Sequence, residues 1–95
     1  MTKADIISEI IDKTGIEKND VANTVEAFFS VVKDSMTKGE SLYVRGFGSF
    51  VNKKRAKKVA RNISKNTAII IDEHFIPSFK PSKEFVELVK KNVKA

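Results

Sequence analysis

Thirteen consecutive residues near the middle of the chain hold seven cations and no carboxylate: Lys53-Lys54-Arg55-Ala56-Lys57-Lys58-Val59-Ala60-Arg61-Asn62-Ile63-Ser64-Lys65. Such a run repels itself and adds almost nothing to a core, so it is stable only when solvated or laid against a polyanion. β-like segments flank it on both sides, which predicts a projecting hairpin rather than a loose tail. The chain has 95 residues and reads as a single domain over 1–95. An arm at about 53–75 leaves few residues to build the body of that domain.

The charge is unevenly placed. Residues 1–50 carry six Lys/Arg against eight Asp/Glu, net −2, and residues 51–95 carry twelve against four, net +8, giving the overall +6. A positive field confined to one half suits phosphate binding better than general solubility does. A membrane surface is the other obvious polyanion. It calls for a basic amphipathic helix with a bulky apolar face, whereas this tract reads as strand. The longest aliphatic run, Ile69-Ile70-Ile71, is too short to span a bilayer, and the N-terminus lacks the apolar stretch of a secretory signal. A soluble cytoplasmic protein with no membrane partner is expected. There is no cysteine, so disulfides and thiolate zinc sites are excluded.

The first signal along the chain is helical. Thr2 and Asp5 resemble a capping box, Ile6, Ile7, Ile10 and Ile11 repeat at helical spacing, and Gly15 is the natural stop. A second helix runs from Lys18 to Lys38, closed by Gly39, with Glu17 or Asn19 as its cap. On this helix Val21, Val25, Phe28 and Val32 cluster within roughly 60°, and Ala22, Phe29, Met36 and Val31 widen the stripe to roughly 180°. One core usually covers about 100°. An intertwined homodimer is the economical way to cover the rest, and a C-terminal helix folding back is the alternative.

After Gly39 the pattern turns to strand: Ser41 to Val44, a tight reversal at Arg45-Gly46-Phe47-Gly48, then Ser49-Phe50-Val51 leading into the basic tract. Small polar residues at 62–66 suit a turn, and Thr67 to Ile76 returns as a β-branched strand. Pro77 and Pro81 bracket Ser78-Phe79-Lys80, and Ser82 caps a last helix carrying Phe85, Val86 and Val89. The fold class is α+β: two N-terminal helices, a three-stranded antiparallel sheet with a long β-ribbon arm, and a C-terminal helix.

Gly46-Phe47-Gly48-Ser49-Phe50, Arg61-Asn62 at the arm tip, and Phe79-Lys80-Pro81 with Lys83 together resemble the bacterial HU and integration host factor family of architectural DNA-binding proteins, over essentially the whole chain. The resemblance implies an obligate dimer whose two β-ribbon arms wrap the minor groove of double-stranded DNA, an apolar residue at each tip wedging between base pairs. It also implies association with the nucleoid. The partner subunit is a second copy of the chain or a related one. The family's tip motif, Arg-Asn-Pro-x-Thr-Gly, appears here as Arg61-Asn62-Ile63-Ser64-Lys65-Asn66. Ile63 therefore takes the place of the wedging proline; it is apolar and stiff at its β-carbon, although it lacks the rigid ring. Asn66 takes the glycine position and tolerates the left-handed conformation.

The division of labour expected from this resemblance gives Lys53, Arg55, Lys57, Lys58, Arg61 and Lys65 the phosphates or the groove. Asn62 and Arg61 reach base edges, which in this groove distinguish little beyond A·T from G·C. Ser64 and Asn66 complete the contacting tip. Lys80, Lys83, Lys3 and Arg45 hold the flanking backbone once the duplex bends, with low specificity governed by deformability.

Blander readings stand beside these. The tract is then a solvated face, and Ile63 tucks inward at the turn. Phe47, Phe50, Phe75 and Phe79 read as core rather than base-stacking residues. His74 has no second His and no Cys for a metal, and Gly46-x-Gly48 lacks the third glycine of a dinucleotide site. Neighbouring Asp72 and Glu73 point to opposite faces of a strand and do not form a catalytic pair. No enzyme, cofactor or metal is expected. The alternative function class is an electrostatic module that binds RNA or acidic protein without intercalation.

Overall fold

The computed structural model describes residues 1–62 and 67–94, with Arg61 and Asn62 described by their backbone alone. The chain divides into two compact units, Met1–Ser35 and Met36–Ala95.

The first unit is helical. α1 spans Lys3–Thr14 and starts on the expected capping box: the Asp5 N–H donates to Thr2 Oγ1 at 3.3 Å, and the Thr2 N–H donates to Asp5 Oδ2 at 2.8 Å. It ends at Gly15, whose φ of 71° lies in the left-handed region and whose N–H donates to the Ile11 carbonyl. α2 spans Lys18–Thr37. Of the two candidate caps, Glu17 occupies the position, its carbonyl accepting the Val21 N–H at 3.1 Å. The Lys3 ammonium of α1 pairs with the Glu26 carboxylate of α2. The wide apolar stripe of α2 is only partly covered. Val21, at 3 % exposure, is the one buried apolar side chain among the described residues, while Phe28 and Phe29, in edge-to-face contact at 5.7 Å, stay more than two-fifths exposed.

The second unit contains the sheet. β1 (Leu42–Val44), β2 (Gly48–Arg55) and β5 (His74–Pro81) form an antiparallel sheet in the order β1-β2-β5. The β1–β2 reversal is closed by the Phe47 N–H donating to the Val44 carbonyl at 3.0 Å. α3 (Lys83–Asn92) begins on Ser82, whose hydroxyl accepts the Phe85 N–H at 3.2 Å, and the Ser82 N–H in turn donates to the Phe47 carbonyl. α3 is thereby anchored to the β1–β2 turn. Phe85 then stacks on Phe47 with ring centroids 5.2 Å apart, and Phe79 lies 5.1 Å from both Phe47 and Phe50. Each such ring contact adds about 0.5–1.5 kcal/mol beyond the area it buries. This four-ring cluster is what joins α3 to the sheet.

The end of the return strand and the place of Phe75 both differ from expectation. Pro77 lies inside β5, opposite Asn52, where the sequence predicts the strand to stop at Ile76. β5 is an edge strand, and an edge leaves room in the ladder for a residue with no N–H. Phe75 is not core: it is 66 % exposed. It alternates onto the same face as Phe79 but stands four residues farther out along the ribbon, among Lys54 and Pro77 rather than the other rings.

Candidate nucleic-acid interface

The arm is a continuation of two sheet strands. β2 pairs with β5 through Arg55 opposite His74, and β3 (Lys58–Asn62) pairs with β4 (Thr67–Ile71) from Lys58 opposite Ile71 to Asn62 opposite Thr67. The second ladder continues the register of the first without a slip. Only the level of Ala56–Lys57 and Asp72–Glu73 is left out of the pairing, so the two uninterrupted strands expected from sequence are each broken there. Asp is a poor strand former, and two adjacent carboxylates supply no cross-strand packing to hold the ladder.

Register decides which cations share a face. Directly opposed residues in an antiparallel pair lie on one face, and neighbours along a strand alternate. Phe50 and Phe79 mark the face that carries the ring cluster and α3; Asn52, Pro77, Lys54 and Phe75 continue it outward. The opposite face carries Ser49 with Lys80, Val51 with Ser78, Lys53 with Ile76, and Arg55 with His74. Lys53, Arg55 and Lys80 therefore share one face, spread along the strands and turned away from α3. No carboxylate stands on that face of the three-stranded sheet, and none of the three makes an ion pair among the described residues. Lys54, on the other face, is paired with Glu73 at 3.3 Å.

Farther out, the ribbon carries its cations on one strand and an aliphatic run on the other. β3 supplies Lys58, Arg61 and Asn62, while β4 runs Thr67-Ala68-Ile69-Ile70-Ile71 with every side chain exposed. Lys57 lies at the break. Ile63, Ser64, Lys65 and Asn66, including the expected wedge, fall outside the described residues. Arg45 sits in the β1–β2 turn and Lys83 opens α3. Lys3 belongs to the first unit, where Glu26 holds its ammonium; that contact keeps the Glu26 carboxyl below its usual range, through the hydrogen bond first and the charge second. Charge counting passes over one residue of the cationic face, Tyr43, which lies opposite Ser49 on β1.

The family described as bacterial DNA-binding protein matches residues 1–90. The chain belongs to that family. Among its relatives, the DNA-binding protein HU of Lactococcus lactis is 39% identical over 88 residues, covering 93% of this chain and 97% of that protein. Integration host factor subunit alpha of an Anaeromyxobacter species is 35% identical over 83 residues, 87% of this chain and 84% of the relative. Of solved structures, Anabaena HU in a cocrystal with DNA superposes with a TM-score of 0.88 at 25% identity, covering 94% of this chain and 97% of the other. HU from Thermotoga maritima, as a point mutant, gives 0.72 at 28% identity, over 94% and 99% of the two chains. Helix order, sheet and ribbon thus agree with members of the family. No helix among the described residues is long and apolar enough to cross a membrane.

Proposed function

We propose that this protein is a single-domain architectural DNA-binding protein: a dimer without catalytic activity that grips duplex DNA through its ribbon arms in the minor groove. It bends or compacts the duplex with little sequence preference, and it acts in the cytoplasm at the nucleoid. The observation that carries this reading is the ribbon of continuous register, with Lys53, Arg55 and Lys80 on one face of the sheet at its base and no carboxylate on that face of the three strands, within a chain of the DNA-binding family. Clustered cations release condensed counterions from DNA, a term that depends on backbone charge and not on sequence. The DNA-bound Anabaena relative supports the same role. The dimer is supported by Phe28, Phe29, Val31 and Leu88, apolar residues that one chain leaves exposed. Names of subunits alpha and beta among the relatives fit pairing with a related chain as well as with a second copy.

The test measures bending and affinity on one duplex labelled at both ends. Ile63→Ala is expected to relax the bend more than it weakens binding, because a wedge acts on stacking and the cations act on phosphates. The affinity of the parent protein should fall with salt at about −0.9 log units per log unit for each phosphate neutralised. A duplex left straight by the parent protein, or a flat salt dependence, overturns the reading in favour of an electrostatic module for other acidic partners.

A further inference from the structure

We propose that β4 is a pairing edge for a second copy of this chain: the arms of two molecules join β4 to β4, antiparallel, into one four-stranded sheet. The ribbon has only two strands, so each has one edge without a strand partner among the described residues. The two edges are unlike. β3 carries Lys58 and Arg61, whereas Thr67-Ala68-Ile69-Ile70-Ile71 of β4 has no charge, proline or glycine, and every one of its side chains is exposed. Ile70 is 61 % exposed and Val59, directly opposite, 67 %. An uncharged edge rich in β-branched residues is a template for another strand. A two-stranded ribbon is also marginal in water by itself, and further strands with apolar side chains stabilise it.

The segment complements itself. A two-fold axis at Ile69 sets Ile69 against the second copy's Ile69, Ala68 against its Ile70 and Thr67 against its Ile71. With the register inside each ribbon, Ala60, Ile69, the second copy's Ile69 and its Ala60 then form one aliphatic row across four strands. Charge selects the same edge. Pairing through β4 leaves the cationic β3 strands outermost, about 14 Å apart at ~4.8 Å per strand, which exceeds the Debye length of about 8–10 Å at moderate salt. Pairing through β3 would bring those cations onto adjacent strands instead. Beyond Ile71 lie Asp72 and Glu73, where the ladder is already broken, so the contact is confined to the 5 residues of β4. Each ribbon has one such edge, and the sheet closes at four strands. The attraction is apolar and the repulsion is between cations, so the pairing strengthens as salt rises, opposite to the salt dependence of DNA binding. At low salt the dimer stays separate; at high salt its two arms link it to further copies. Duplex binding is not required for this pairing.

The chain has no cysteine, so one introduced thiol reports one contact. Nuclease-treated protein carrying Ile69→Cys is oxidised at low and at high salt beside the Val59→Cys variant, and covalent two-chain product is followed on a non-reducing gel. Directly opposed residues of an antiparallel pair have Cα atoms about 4.5–5.5 Å apart, within reach of a disulfide, whereas Val59 of each copy stays on an outer strand. Ile69→Cys should therefore crosslink several times faster than Val59→Cys, and that ratio should grow with salt. Ile70→Lys, added to Ile69→Cys, should bring the rate down to that of Val59→Cys; Ile70 is exposed, so circular dichroism should show the fold retained. Sedimentation of the parent protein at high salt should show particles of more than two chains, absent in Ile70→Lys. Equal rates for Ile69→Cys and Val59→Cys overturn the proposal, as does a ratio that falls with salt or ignores Ile70→Lys.

Discussion

The Lys54 ammonium lies 3.3 Å from the Glu73 carboxylate, diagonally across the ribbon at the edge of the break in its ladder. Its sequence neighbour Lys53 points to the other face and has no acidic partner among the described residues. Two adjacent lysines in one run of like charge therefore differ in what they offer a phosphate. Lys53→Ala should lower DNA affinity and reduce the salt slope by about one. Lys54→Ala should do much less of both, and Glu73→Gln should tighten binding by freeing Lys54. Equal losses from the two alanine variants in an anisotropy titration would show that both faces meet the DNA.

Gly48 is held where no other residue fits. A Cβ there would lie 2.4 Å from the Lys80 carbonyl oxygen and 2.7 Å from the Phe79 ring, so backbone and the ring cluster both stand in its way. Gly48→Ala should cost about 2 kcal/mol or more, as overpacked sites do, which lowers the melting temperature of a domain this size by ~10 °C. Calorimetry or thermal circular dichroism measures it directly.

Acid should loosen the helical unit first. Asp5 is held below its usual 3.8 by the hydrogen bond from the Thr2 backbone and then by that from its hydroxyl; Glu26 is held below 4.5 by Lys3. A depressed carboxyl stabilises the fold above its unfolded value and loses that contribution as pH falls through the folded value. Stability should thus decline from about pH 4.5 downward. The Asp5→Asn, Glu26→Gln double variant should start lower at neutral pH and decline less on acidification. Parallel curves for the two proteins would remove these groups from the account.

Assembly is testable at the apolar stripe of α2. The parent protein should sediment as two chains across a range of concentrations, and Phe28→Lys should shift it towards single or unfolded chains, because Phe28 stays 44 % exposed when one chain stands alone. A parent protein that remains a single chain throughout would leave that stripe unexplained by self-association.

Local chemistry made much of this legible in advance. Thr2 with Asp5, Gly15 and Ser82 mark helix ends because caps satisfy backbone groups within three or four residues of themselves. The Lys53–Lys65 run announces an arm because like charge cannot be buried, whatever surrounds it. The Arg61–Asn66 tip is legible only through its likeness to a known motif.

Pairing across the ribbon settled the rest. Neither the separation of Lys53 from Lys54, nor the exposure of Phe75, nor the alignment of Tyr43 with Lys80 is written in any local stretch. Each depends on which residue of a distant strand stands opposite, and a slip of one position would exchange the two faces. The order of residues alone determined that this chain carries a cationic run between two strands; the hydrogen-bond register, set between residues as far apart as Gly48 and Pro81, decided which of its side chains share a face.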